Sequence, residues 1–172
     1  AGVGTFTLGT VSCVWPIAFC AGGVCPSNLV DVATASTTAM SSSILDIGTP
    51  SSTPAAAFIG QQVRKSGRTT GHTKGTVTAV SADLLVGGYF SGTAFFTGQI
   101  ILGPAGFSDA GDSGSLIVAN KRKRPVGLLF AGSPTSTIAN KIDNVLAACA
   151  VSFLAASDSA AADAVVEPDD VP

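Results

Sequence analysis

Apolar positions in this chain come in short runs, each closed by Gly, Ser, Thr, Asn or Pro, and almost never at helical spacing. Eight runs stand out: LVDVATAST (29–37), SILDIG (43–48), QQVRKSG (61–67), GTVTAV (75–80), DLLVGGYF (83–90), TAFFTGQIIL (93–102), GSLIVAN (114–120) and PVGLLFAG (125–132). Runs of β-branched and aromatic residues between turn signals read as strands, and many in series predict an all-β barrel or sandwich. GSLIVAN and PVGLLFAG are expected to pair as a hairpin through Lys121–Arg124, whose like charges stay solvated and discourage edge pairing. One stretch departs from the pattern. In IANKIDNVLAACAVSFL (138–154) apolar residues recur at Ile142, Val145, Leu146 and Cys149, which predicts one amphipathic helix closing the domain. Residues 154–172 are small, acidic and end in Pro, as in a disordered tail.

Composition narrows the partners. At 172 residues the chain is long enough for a packed core without disulfides. Only 12% of residues are charged, with 9 Lys and Arg against 11 Asp and Glu, so nothing steers the chain toward nucleic acid or an anionic membrane. Apolar runs are too short for a transmembrane helix. The first residue, Ala1, suggests a processed N-terminus, and no signal-peptide pattern follows it. Cys13, Cys20 and Cys25 crowd a Gly/Pro-containing region while Cys149 stands apart; this spacing does not suit zinc. A Cys20–Cys25 bridge or buried thiols are the expected states, and no metal or cofactor is implied.

Candidate chemistry lies in FSDAGDSGSLIV (107–118), where a polar loop runs straight into an apolar strand. Attack by a serine on a carbonyl needs an outward hydroxyl and backbone N–H groups aimed at the developing oxyanion. Gly111 can adopt positive φ, so that its N–H turns toward the same hole as that of Ser113, and Gly114 leaves room for a substrate backbone. Asp112 behind the loop needs a buried cation, because an unpaired buried carboxylate is costly.

GDSGS followed by a strand, a turn and PVGLLFAG resembles the C-terminal barrel of the trypsin-like serine peptidases of chymotrypsin fold. VRKSGRTTGHTKGTVTAV (63–80) is similar to the SGRTTG segment of bacterial, α-lytic-type members. GDSG alone is a weak motif; the three segments in this order are a strong one. The resemblance implies a complete six-stranded C-terminal barrel (55–153), a partial N-terminal barrel (1–54) and a C-terminal helix. It further implies peptide-bond hydrolysis through an acyl-enzyme on Ser113, with the amides of Gly111 and Ser113 as oxyanion hole. Phe130, Ala131 and Gly132 match the strand that pairs with a substrate backbone and walls the primary specificity pocket. Phe107 falls where a relative cleaving after basic residues carries Asp, so an apolar or small side chain is expected there. Lys65 matches the cation that pairs with Asp112. Asp31, in NLVDVATAS (28–36), matches the triad aspartate and is the only acid in the first 45 positions.

The pattern fails at the general base. The family's histidine precedes its aspartate, whereas the chain's single histidine, His72, follows SGRTTG at a position expected on the barrel wall. The resemblance therefore implies a peptidase homologue nearly inert by itself, acting on a polypeptide substrate, with a separate N-terminal segment completing the first barrel. The alternative is a non-catalytic peptide-binding or structural relative. Low charge, a Ser/Thr-rich surface and family habit lean toward a secreted or extracytoplasmic location.

Overall fold

Residues 9–38 and 40–154 are described by the computed structural model. Their β-rich runs pair into nine strands and one helix: β1 Thr10–Val14, β2 Ser27–Asn28, β3 Ala33–Ser36, β4 Gln62–Gly67, β5 Gly71–Tyr89, β6 Gly92–Gly103, β7 Leu116–Ala119, β8 Pro125–Gly132, β9 Thr137–Lys141 and α1 Ile142–Ala148. Strands β6, β5, β4, β7, β8 and β9 are hydrogen-bonded in that order, and β9 returns to β6. Closure removes sheet edges, leaving an antiparallel six-strand ring with the helix at its C-terminal end. The all-β, chymotrypsin-like expectation is thus met. β2 adds in parallel to the outside of this ring along β6, while β1 and β3 form a separate two-stranded ribbon.

Inward side chains of the ring make one apolar cluster, including Val63, Val77, Ile100, Leu102, Ile117, Val126 and Leu129. A second cluster joins Val30 and Val32 of the N-terminal segment to Ile142 and Val145 of α1. Asp31 lies between two of these anchors, and the buried Asn140 side chain holds its backbone. The Asp31 N–H donates to Asn140 Oδ1 (3.2 Å) and Asn140 Nδ2 donates to the Asp31 carbonyl (2.9 Å). Packing and hydrogen bonding therefore place this acid against the end of the barrel.

Several local expectations are corrected. The helix is shorter than 138–154: residues up to Lys141 belong to β9, where two ladders, to β6 and β8, outweigh a helical pattern. It stops because Ala150 takes φ 50° and its N–H closes onto the Ala147 carbonyl, while Val151 N–H reaches Leu146. SILDIG forms no strand; Asp46 (φ 62°) and Gly48 (φ 87°) bend it into a turn closed by an Ile44–Gly48 bridge. The two runs at 75–80 and 83–90 are one strand, bent by bulges against β6 with Ser81 at φ 59°. The β7–β8 hairpin forms as expected, yet Arg124 is not simply solvated: its guanidinium donates to the carbonyls of Thr53 (3.3 Å) and Pro54 (2.5 Å).

Cysteine pairing is also decided by the fold. Cys20 bonds Cys25, one of the two expected states, whereas Cys149 does not stand apart but bonds Cys13 across a sequence separation of 136. That bridge ties the β1–β3 ribbon to the end of α1. The expected tail lies almost wholly outside the described residues.

Candidate active site

The connection from β6 to β7 carries GDSG, and its shape is set by one carboxylate. Asp112 is 1% exposed and accepts five hydrogen bonds. Its Oδ1 takes the N–H groups of Thr69 (2.7 Å) and Thr70 (3.2 Å); its Oδ2 takes the Thr70 hydroxyl (2.7 Å), the Asp109 N–H (3.1 Å) and Lys65 Nζ (3.1 Å). Lys65, fully buried on β4, spends its other two donors on the Thr70 hydroxyl and the Gly71 carbonyl, with the Phe107 ring 5.9 Å from the ammonium. The expected buried Lys65–Asp112 pair is present, and it ties the SGRTTG turn to the GDSG turn. Burial by itself pushes the Asp112 carboxyl up, but the hydroxyl and backbone donors together hold it well below the usual carboxylate range. A side chain at Gly67 would meet Asp112 Oδ1 at 2.5 Å, which is why SGRTTG needs glycine there.

On this platform Ser113 is exposed, and its hydroxyl donates to the Phe130 carbonyl at 3.3 Å. Gly111 has φ 97° and Gly114 φ 88°, conformations that favour glycine, and the Gly114 N–H is fixed to the Leu129 carbonyl at 2.7 Å. The Arg68 guanidinium packs over Gly111, where a Cβ would collide with it.

Ser113 and Gly111 line one cavity of about 810 Å³ together with Phe130, Ala131 and Gly132 of β8 and with Ser108, Asp109 and Tyr89. Five of the sequence-derived site residues thus share one space. Asp31 approaches it indirectly, since its Oδ2 accepts the hydroxyl of Tyr89 at 2.7 Å. An aromatic row continues from Tyr89 through Phe96 to Phe130, with centroid separations of 6.4 and 4.8 Å. Burial first, then the hydrogen bond to Asp31 and that carboxylate's charge, raise the Tyr89 phenol above its ordinary value.

Two expectations change. Phe107 is 1% exposed with its ring in the barrel core, where it packs on Gly75, so the cavity is lined by its neighbours Gly106 and Ser108 instead. An apolar ring beside a sealed barrel gains more by inward burial than by facing a solvated cavity. His72 sits exposed on β5 opposite Ser66, away from the cavity lining. Sequence reasoning missed Tyr89, Asp109 and Asn140. The chain's one tyrosine, at the end of an apolar strand, was the available signal for the first, because a half-buried phenol seeks an acceptor.

A closed antiparallel ring ending in a helix, with a positive-φ glycine before an exposed serine on a buried ion pair, defines a chymotrypsin-like barrel. Among solved structures the chymotrypsin of Cellulomonas bogoriensis superposes with a TM-score of 0.58 at 24% identity, covering 75% of this chain and 72% of that one. A glutamic acid specific serine protease superposes with a TM-score of 0.48 at 26% identity, over 78% of this chain and 64% of that one. Residues 29–147 match the Nal1 C-terminal domain family, and the chain belongs to that family. Protein NARROW LEAF 1 of Oryza sativa subsp. japonica is 37% identical over 86 residues, which is 46% of this chain and 14% of that protein's length.

Proposed function

We propose that this chain is a serine peptidase homologue of the bacterial, SGRTTG-bearing type, holding the nucleophile, the oxyanion donors and the substrate-pairing strand. The observation that carries the reading is Ser113, exposed beside positive-φ Gly111 on the Lys65–Asp112 platform and sharing a cavity with Phe130–Gly132. A peptide laid along β8 would present its carbonyl carbon to Ser113 Oγ, and the N–H groups of Gly111 and Ser113 would receive the oxyanion.

Acylation also requires a base for the serine proton. His72 is the chain's only imidazole and lies away from the cavity, while the Tyr89 phenol is pushed toward its protonated form and donates to Asp31. In serine peptidases loss of one triad member costs about 10⁴ to 10⁶ in turnover. The isolated chain therefore binds peptide and acylates slowly, and full turnover needs an imidazole from sequence outside these 172 residues. Asp31 is the group such an imidazole would meet. The Tyr89–Asp31 hydrogen bond also favours a second reading, a peptide-binding domain in which the acid has been retained for structure. Two disulfides support an oxidising, exported setting for either.

Treating the chain with a fluorophosphonate tests this reading. Slow labelling of Ser113, accelerated by added imidazole and absent in Ser113→Ala, is the expected result. Labelling no faster than that of a free serine amide, with peptide binding intact, would establish the binding domain instead. Gly111→Ala would force a left-handed alanine against Arg68 and Thr69, the latter 2.7 Å from the new Cβ. Labelling should then fall roughly 10²- to 10³-fold, as on loss of one oxyanion donor.

A further inference from the structure

Charge is divided unevenly along this chain. Residues 1–154 carry nine cations and six acids, whereas residues 155–172 carry five acids (Asp158, Asp163, Glu167, Asp169 and Asp170) and no cation. The fold gathers six of those cations where β4 runs between β5 and β7. Val63 and Lys65 point into the barrel, so Arg64 between them points outward, and its register partner on β5 is the exposed Lys74. On the other side Arg64 is opposite Val118 of β7, and the Asn120 N–H bonds the Gln62 carbonyl at 3.0 Å. The Lys121–Arg124 turn therefore begins roughly 10 Å along the strand from Arg64. Like charges directly opposite in a sheet oppose pairing, so Arg64 and Lys74 do nothing for the barrel's own stability. Among the described residues neither they nor Lys123 forms an ion pair, and Arg64 Nε is buried without an acceptor. The acids of the folded body are committed elsewhere: Asp112 to Lys65, Asp31 to Tyr89, Asp83 to the Gly98 N–H and Asp109 to the Ala110 N–H. Asp46 makes no ion pair with Lys123, although the Lys123 ammonium packs over Gly48 of the same turn.

We infer that this cationic face is the docking surface for the chain's own acidic segment, residues 155–172, whose carboxylates take Arg64, Lys74 and the Lys121–Lys123 side of the turn. The inference does not depend on the peptidase reading. Charge complementarity is its first support: the cations stand within about a Debye length of one another, roughly 8 Å at physiological salt, so their fields add toward an incoming anion. Reach is the second. Helix α1 starts after Lys141, which pairs with Gly127 only two residues past the end of the turn. From Leu154 the sixteen residues to Asp170 extend up to about 55 Å, while a body of this size has a radius of gyration of about 15 Å. Single exposed ion pairs are weak and screened by salt, so a free anion would hold this face poorly. A tethered segment bearing five acids meets it at an effective concentration in the millimolar range, which offsets that weakness. The basic turn is thus more than a solvated guard against edge pairing: Arg124 holds the Thr53 and Pro54 carbonyls, and its neighbours offer charge to the segment.

A nitroxide on Pro172→Cys of the full chain tests this, because all four native cysteines are in disulfides and leave the new thiol as the one to label. Amide broadening is read by NMR on isotope-labelled protein diluted into unlabelled chain. Amides of Arg64, Lys74 and residues 121–123 should broaden severalfold more than those of Ile100 and Ala139, which pair on the opposite wall of the ring. The excess should vanish in 1 M NaCl. It should vanish equally when the five acids of the segment are made neutral as Asn or Gln. Lys74→Gln with Lys123→Asn should reduce it at least twofold without moving the melting temperature, since Asn tolerates the φ of 52° at position 123. Equal broadening of the two walls, or an excess that survives salt or the neutral segment, would overturn the assignment. So would broadening carried from a spin-labelled chain to an isotope-labelled one in a mixture, which would make the occupant a second copy.

Discussion

Lys65→Met will destabilise the domain by about 3–5 kcal/mol, the cost of leaving a buried charge without its partner. The side chain is fully buried, and among the described residues its ammonium is the only cation on Asp112, whose other hydrogen bonds come from four neutral donors. Met fills the stem but supplies no charge, so the SGRTTG and GDSG turns lose the bond that joins them, and reactivity at Ser113 should fall with stability. The double variant Lys65→Met/Asp112→Asn should cost clearly less than the sum of the two singles, because the second change removes the orphaned carboxylate. Urea unfolding of all four proteins measures this. Additive losses would mean that the pair contributes no coupling. The pH dependence has a definite sign. Asp112 is held below the value of an unfolded carboxylate, about 3.9, so its stabilisation is complete above that value and is lost as pH falls below it. Between pH ~5 and ~2, Asp112→Asn should therefore show a flatter stability profile than wild type, although it starts lower.

The second large effect belongs to Cys13–Cys149. Loop-closure entropy grows with the length of chain enclosed, and a separation of 136 gives about 5 kcal/mol in the chain-entropy account. Without this bridge the N-terminal segment keeps Val30 and Val32 on α1, Asn140 and Tyr89 on Asp31, the two-residue pairing of β2 with β6, and the hydrogen bonds of Asn28 to Phe95 and of Gln99 to Leu29. Replacing both cysteines with serine should lower unfolding stability by about 4–5 kcal/mol and expose residues 9–38 to protease before the barrel opens. Removing Cys20–Cys25, with a separation of 5, serves as the comparison, since its short loop accounts for only about 2 kcal/mol. Equal losses at the two bridges would show that loop closure is not what Cys13–Cys149 contributes.

Much of the site was legible because its chemistry is local. Positive φ at Gly111 follows from a turn that must expose Ser113, and the need for a cation behind Asp112 follows from burying a carboxylate. The strand runs of 61–67, 93–102, 114–120 and 125–132 likewise announce themselves, since each is bounded by turn residues that act within a few positions. Where a stretch suits two outcomes, its neighbours in space decided. Residues 138–141 continue a helical pattern in sequence but satisfy their backbone between two strands.

The sequence by itself determined the all-β class, the serine turn and the need for a cation behind Asp112, because turn propensity, β-branching and the cost of an unpaired buried charge act on residues in or near these motifs; that Lys65 supplies the cation followed from the resemblance to the family. Only the tertiary structure decided that Cys149 meets Cys13, that Asp31 is held by Tyr89 and Asn140, and that Phe107 turns into the core. Ring closure fixes the side of the wall that Phe107 faces, while packing of the N-terminal segment against α1 and the barrel brings Cys13 to Cys149 and Asp31 to its partners.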